Sequence, residues 1–217
     1  DARANSYIGV TDVSLIASAA YARAADLAAR IADVLDRDYD ARNFRALHKK
    51  IKRAYQREFI TATGRLAVNT QTAHILTLRF DLCEEEHRDR IANDLFRLIE
   101  ENNDCLTTGS AGTPSVLSLL TSLGRHDLAA RVLFRDDMPS WLYAVRHGAT
   151  TIWERWDGIQ PDGAFANPEF NSFNHPLGSC IAAWLVSCVA GIGFYRSPMY
   201  ADILLHPRFT EGMSFAS

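Results

Sequence analysis

Apolar residues recur at three- and four-residue steps along most of this chain, and polar residues fill the gaps. That spacing predicts helices, because residues three and four apart share one helical face. An Ala-rich amphipathic run extends from Asp12 to about Asp36, with Thr11 or Asp12 as its N-cap. Tyr39 to Ile60 places Phe44, Leu47, Ile51, Tyr55 and Phe59 on a single stripe, and Gly64 closes the pair. A third helix is expected from near Thr70 to about Leu82. A fourth covers roughly Glu85 to Glu101, with Ile91, Leu95, Leu98 and Ile99 facing inward. Shorter helices follow over Pro114 to Leu123 and His126 to Phe134, split by Gly124. Pro139 to Val145 reads as a helical turn and His175 to Val189 as a further helix. Only Ile203 to Pro207 reads as a strand, and it has no evident partner, which suggests that the chain continues into something larger.

The alternation of helix, short loop, helix and longer loop is that of antiparallel helical hairpins, which close into a ring or stack as a solenoid. Four loops precede helices and carry small or polar residues: Tyr7–Asp12, Leu66–Gln71, Thr107–Pro114 and Asn171–Asn174. In a ring, such helix starts gather at one mouth, where their amides favour oxygen-rich ligands, although plain capping accounts for the same residues.

Composition narrows the picture further. The 217 residues suffice for one full core, and 47% hydrophobic with 23% charged residues is ordinary for a water-soluble globular protein. A net charge of −3 argues against nucleic acid as a partner, and the basic stretch Arg45–Arg53 falls at helical spacing as a solvated face. No apolar run reaches membrane-span length, so no membrane partner is expected. The four cysteines, Cys83, Cys105, Cys180 and Cys188, have no zinc-type spacing and read as small buried hydrophobes with no disulfide expected. His48, His74, His87, His126, His147 and His206 form no ligand pair and read as surface or capping residues. No catalytic metal and no cofactor is called for.

The segment Ala149–Gly163 carries the chemistry. Glu154 stands between Trp153 and Trp156, beside Arg155 and Asp157, in a stretch that ends in Gly and Pro and therefore lies on a loop. Indole rings cover the apolar face of a sugar while carboxylates handle hydroxyls and protons. A buried Trp cluster held by a Glu–Arg pair would give the same composition. Asp157 and Asp162 read as loop formers at Asp-Gly turns.

Four motifs occur in a recognisable order: Thr107-Thr-Gly-Ser-Ala-Gly-Thr-Pro114, Pro139-Ser-Trp-Leu-Tyr143, Gly148-Ala-Thr-Thr-Ile-Trp-Glu-Arg-Trp-Asp-Gly158 and Asn171-Ser-Phe-Asn-His175. Asn69-Thr-Gln-Thr-Ala73 precedes them. Over nearly its whole length the chain resembles the catalytic domain of bacterial α-L-rhamnosidases. The resemblance implies an all-α domain, antiparallel hairpins forming the later part of an (α/α)6 barrel over 1–200, with 201–217 beginning a β-sandwich. It implies release of terminal α-L-rhamnose from a rhamnose-containing glycoside with inversion. Glu154 matches the general base and His175 a residue that contacts the sugar, with Trp153, Trp156 and Asn174 beside them. No motif matches the general acid, so this piece alone is expected to be inactive. Its uncovered faces are expected to need the missing barrel and sandwich segments, or a homo-oligomer.

Two departures bear on substrate preference. Ser110 stands where the family commonly has an aromatic residue, and Pro176–Trp184 lacks an acidic residue just before its Trp. The alternatives are a non-catalytic helical carbohydrate-binding or scaffolding module, and a helical-barrel glycosidase for another sugar.

Overall fold

The computed structural model describes residues 9–166, 171–194, 202–211 and 213, apart from the side chains of Leu177 and Phe194. The described residues form eight α-helices and one two-stranded sheet. They divide into two compact units, one holding residues up to 99 together with 107–112, the other 100–106 and the residues from 113 onward.

The first unit begins with a long hairpin, α1 (Val13–Val34) and α2 (Asp38–Phe59). The Asp12 carboxylate caps α1 by accepting from the amides of Ser14 and Leu15, groups that have no partner inside the helix. The face of α1 toward α2 is nearly all alanine: Ala19, Ala22, Ala25, Ala29 and Ala32 are buried with Leu15. Small side chains let the two backbones approach, and His48 bridges them through Nδ1 to the Ala22 carbonyl at 3.0 Å. The stripe expected on α2 is buried only in part. Tyr55 and Phe59 are buried, Leu47 and Ile51 are half-buried, and Phe44 is exposed. Periodicity identifies the side a helix would bury but not whether a neighbour is present. The same holds for Val13, Ile31 and Val34 on α1, which are 76%, 58% and 83% exposed.

After α2 the chain turns through Gly64 at φ +76°, where an added Cβ would lie 2.7 Å from the His87 ring. The turn leads to α3 (Gln71–Arg79), capped by the Thr70 hydroxyl, and then α4 (Glu85–Glu100). Every residue of α3 from Gln71 to Leu78 is buried, and that includes His74. Of the surface or capping roles expected for His74, the surface one is corrected: its ring is sealed in the core, with Nδ1 on the Thr70 carbonyl at 2.8 Å. The Tyr55 hydroxyl meets Thr77 Oγ1 at 2.7 Å and ties α2 to α3.

The second unit holds α5 (Thr113–Ser122), α6 (His126–Phe134) and α7 (Trp141–Arg146), the last capped by Ser140. Arg125 and Arg131 share the carboxylates of Glu100 and Asp127, and the Arg125 guanidinium in particular holds Asp127 down to about 2. The expected helix from His175 to Val189 is broken into three. A 3₁₀ turn, Pro176–Ser179, leads into α8 (Cys180–Trp184), followed by a π turn over Leu185–Val189. Pro176 keeps His175 out of the helical region, so the helix cannot begin there. Within the π turn the Ser187 hydroxyl donates to the Ala183 carbonyl, competing with the backbone ladder. Trp184 is 1% exposed, and its Nε1 donates to Thr121 Oγ1 at 2.8 Å.

The strand expected near Ile203 is present as β2 (Ile203–Leu205), but it is not alone. It pairs antiparallel with β1 (Ile192–Phe194), Ile192 opposite Leu205. Gly191 makes this possible: at φ +66° it lies so close to the His206 backbone that a Cβ would fall 1.9 Å from that carbonyl oxygen.

Candidate active site

The site is built on the loop that leaves α7. Gly148 stops that helix in the left-handed region at φ +78°, and the Ala149 amide returns to the Ala144 carbonyl. Residues 151–154 then lie against 171–175. Glu154 N–H donates to the Ser172 carbonyl at 2.8 Å, His175 N–H donates to the Ile152 carbonyl at 2.8 Å, and the Thr151 hydroxyl bonds the Phe173 carbonyl. Beyond Glu154 a turn closes through Gly158, and residues 158–166 fold back as a small hairpin with Ile159 bridged to Phe165.

These backbone bonds place Glu154 beside His175, 21 residues later. One carboxylate oxygen, Oε2, accepts the Ser172 amide at 2.9 Å, and the other lies 3.9 Å from His175 Nε2. The distance is too long for a direct hydrogen bond, yet one hydroxyl or water oxygen can reach both atoms at about 2.8 Å. The side chains of Glu154 and His175 are 33% and 32% exposed, so the pair is partly shielded but open to a ligand.

The aromatic residues around this pair are held edge-on. Trp153 meets Phe173 with ring centres 5.3 Å apart and planes at 89°, and Phe173 in turn meets Phe165 at 5.5 Å. Trp156 packs against Trp141 at 5.0 Å and 88°. Two glycines permit this. A Cβ on Gly158 would press on Trp153 and Phe173 at 3.2 and 3.3 Å, and one on Gly178 would lie 2.7 Å from Ile152 Cγ2. The Gly178 carbonyl also accepts the Trp141 indole N–H at 3.1 Å.

Two other acids among the described residues of this loop have partners. Asp157 binds Arg155 through two hydrogen bonds of 2.8 Å, and Asp162 accepts the Ala164 amide in its turn. Burial first, and then the carboxylates of Asp157 and Asp162, push the Tyr143 phenol upward, and its hydroxyl donates to the Ile159 carbonyl at 2.7 Å. Of the residues marked in the sequence, Glu154 and His175 meet, Trp153 and Trp156 are half-buried against Phe173 and Trp141, and Asn174 is exposed with its backbone N–H on Ser172 Oγ.

Residues of three of the four loops marked as helix starts meet within the first unit. Thr11 Oγ1 meets Thr70 Oγ1 at 2.7 Å, and Gln71 Oε1 accepts the Thr107 amide at 2.9 Å. Thr11, Gln71, Thr72 and Thr108 are all at most 5% exposed. Ser172, Phe173, Phe165, Gly158 and Gly178 were missed as site residues. Ser172 and Phe173 lie inside a quoted motif, but the Glu154 carboxylate and the Trp153 ring that they meet are 18 and 20 residues away, beyond the reach of local spacing. Among the described residues no group of three or more His, Cys, Asp or Glu could hold a metal ion, and no helix is long and apolar enough to cross a membrane.

Residues 4–189 match the family model for the bacterial alpha-L-rhamnosidase 6 hairpin glycosidase domain. The chain belongs to that family. An α-L-rhamnosidase of Streptomyces avermitilis is 40% identical over 198 residues, which cover 91% of this chain and 19% of that protein. One from Alteromonas sp. strain LOR is 32% identical over 210 residues, covering 96% and 23%. Among solved structures, the Streptomyces avermitilis α-L-rhamnosidase complexed with L-rhamnose superposes with a TM-score of 0.85 at 39% identity, over 95% of this chain and 20% of that one. The native Aspergillus terreus enzyme gives 0.83 at 32% identity, over 86% and 22%. The chain thus spans about a fifth of the length of the rhamnosidases it matches, as part of their six-hairpin domain.

Proposed function

We propose that this chain supplies the general base of an inverting α-L-rhamnosidase, with Glu154 taking the proton from the attacking water. The observation that supports this reading most is the two-sided setting of the Glu154 carboxylate. Ser172 N–H fixes one oxygen, and the other lies 3.9 Å from His175 Nε2, a separation that one ligand oxygen can bridge. A base needs that combination of fixed aim and open access. His175 holds a sugar hydroxyl in place, Asn174 lies at the exposed edge, and Trp153 and Trp156 form apolar walls suited to the methyl group of a 6-deoxy sugar.

An inverting hydrolysis also needs a protonated acid about 6.5–9.5 Å from the base, leaving space for the water. Asp157 is held by Arg155 and Asp162 by its turn, and in this reading the acid is supplied by another part of the longer polypeptide. The exposed faces of α1 and α2 are covered by further hairpins of the same chain, and the segment after β2 continues into a β-sandwich. The test uses the full-length polypeptide and an aryl α-L-rhamnoside. Nuclear magnetic resonance of the first product should show the β-anomer, and Glu154→Gln, which keeps an acceptor for the Ser172 amide, should lose about 10²–10⁴-fold in turnover. Retention of configuration would overturn the assignment of the mechanism. Sugar binding without turnover by the full-length protein would make the domain a binding module instead.

A further inference from the structure

Glu154 and Gly158 stand at the two ends of one turn, and the dipeptide Asn171-Ser172 grips both of them. Ser172 holds the first end twice. Its carbonyl accepts the Glu154 N–H at 2.8 Å, and its N–H donates to Glu154 Oε2 at 2.9 Å. Asn171 holds the other end, where its side-chain Nδ2 donates to the Gly158 carbonyl at 3.1 Å. A carbonyl only accepts, so the nitrogen end of the Asn171 amide must face it. The oxygen end, Oδ1, is buried and meets no donor among the described residues, so this side chain is tied down at Gly158 alone. The turn between the two ends is itself braced. Gly158 N–H donates to the Arg155 carbonyl at 3.2 Å, and Arg155 and Asp157 share two hydrogen bonds of 2.8 Å.

We propose that Asn171 is a positioning residue for the reaction: through Gly158 it holds the Ser172 N–H on Glu154, which keeps the other carboxylate oxygen aimed at the attacking water. This rests on Glu154 as the base. The Ser172 N–H belongs to the peptide plane that begins at the Asn171 Cα, so a rotation at Asn171 swings that N–H with it. Without the bond to Gly158, the donor that fixes Oε2 loses its anchor. Oε1 then leaves its place 3.9 Å from His175 Nε2. Because Asn171 acts through Glu154, its removal costs the step that uses the base rather than the binding of the sugar.

The experiment is a double-mutant cycle in the full-length polypeptide. Asn171→Ala, Glu154→Ala and the two together are assayed on an aryl α-L-rhamnoside, with and without azide. Alone, Asn171→Ala should lower kcat about 10- to 100-fold, the scale of a small misplacement of a catalytic group, with KM near the parental value. Azide needs no base, so adding Asn171→Ala to Glu154→Ala should leave the azide rate unchanged. A merely structural role would lower that azide rate by the same factor as it lowers kcat, and this would overturn the inference. If Glu154→Ala falls and recovers with azide while Asn171→Ala changes nothing, the inference alone fails. If Glu154→Ala keeps near-parental turnover, or gains nothing from azide, the reading of Glu154 fails and the inference with it.

Discussion

Gly178→Ala tests whether close packing under the candidate site fixes its geometry. An added Cβ would sit 2.7 Å from Ile152 Cγ2, about 0.7 Å inside the 3.4 Å at which ordinary contact begins (3.4 − 2.7), and 3.2 Å from Trp141 Nε1. The Ile152 methyl is attached at a β-branch and cannot swing away as a long side chain would. Overpacking of this kind costs about 1–3 kcal/mol. The shift also strains the Trp141 N–H bond to the Gly178 carbonyl, adding about 0.5–1.5 kcal/mol. A total near 3 kcal/mol lowers the melting temperature of a chain of this size by roughly 6–12 °C. All four tryptophans, at 141, 153, 156 and 184, lie in the second unit, so tryptophan emission on heating reads that unit directly. Because the Ile152 carbonyl accepts the His175 amide, the emission of the folded variant should change too. Gly193→Ala is the control, since nothing lies within 4 Å of its Cβ. Unfolding of Gly178→Ala at the parental temperature, or by no more than the control shifts it, would refute the packing argument.

Two further outcomes concern the first unit. Burial, above all, lowers the pKa of His74 from the ordinary 6.5. The folded state therefore refuses a proton that the unfolded chain accepts, so this contribution to stability is complete above pH 6.5 and is lost as the pH falls below it. The urea midpoint by circular dichroism should drop from about pH 7 toward 5, and His74→Asn should flatten that dependence; an unchanged slope would count against a buried neutral imidazole. Burial likewise pushes Tyr55 up to about 12, against an ordinary 10.0. Its protonated form stabilises the fold below pH 10 and that stabilisation is lost as the pH rises through about 12. In an ultraviolet titration the last phenol to ionise should vanish in Tyr55→Phe, which should also cost about 0.5–1.5 kcal/mol for the lost bond to Thr77.

Helix positions were legible in the sequence because spacing and caps are local: Asp12, Thr70 and Ser140 each cap where a hydrophobic run begins. The loop carrying Glu154 was legible for the same reason, between Gly148 and the Gly-Pro-rich hairpin. Contacts distant in sequence were not. Nothing local shows that residues 151–154 would pair with 171–175, that β2 would find β1, or that His74 would be sealed while Phe44 stayed in solvent. The break at Pro176 was visible in principle, since proline restrains the residue before it, but the apolar period through Val189 masked it.

The central claim, that Glu154 activates the water, is tested most directly by Glu154→Ala in the full-length polypeptide with and without added azide. Turnover of an aryl α-L-rhamnoside should fall about 10²–10⁴-fold, and azide, which needs no base, should restore part of it as a rhamnosyl azide of inverted configuration. Near-parental turnover without azide would contradict the claim.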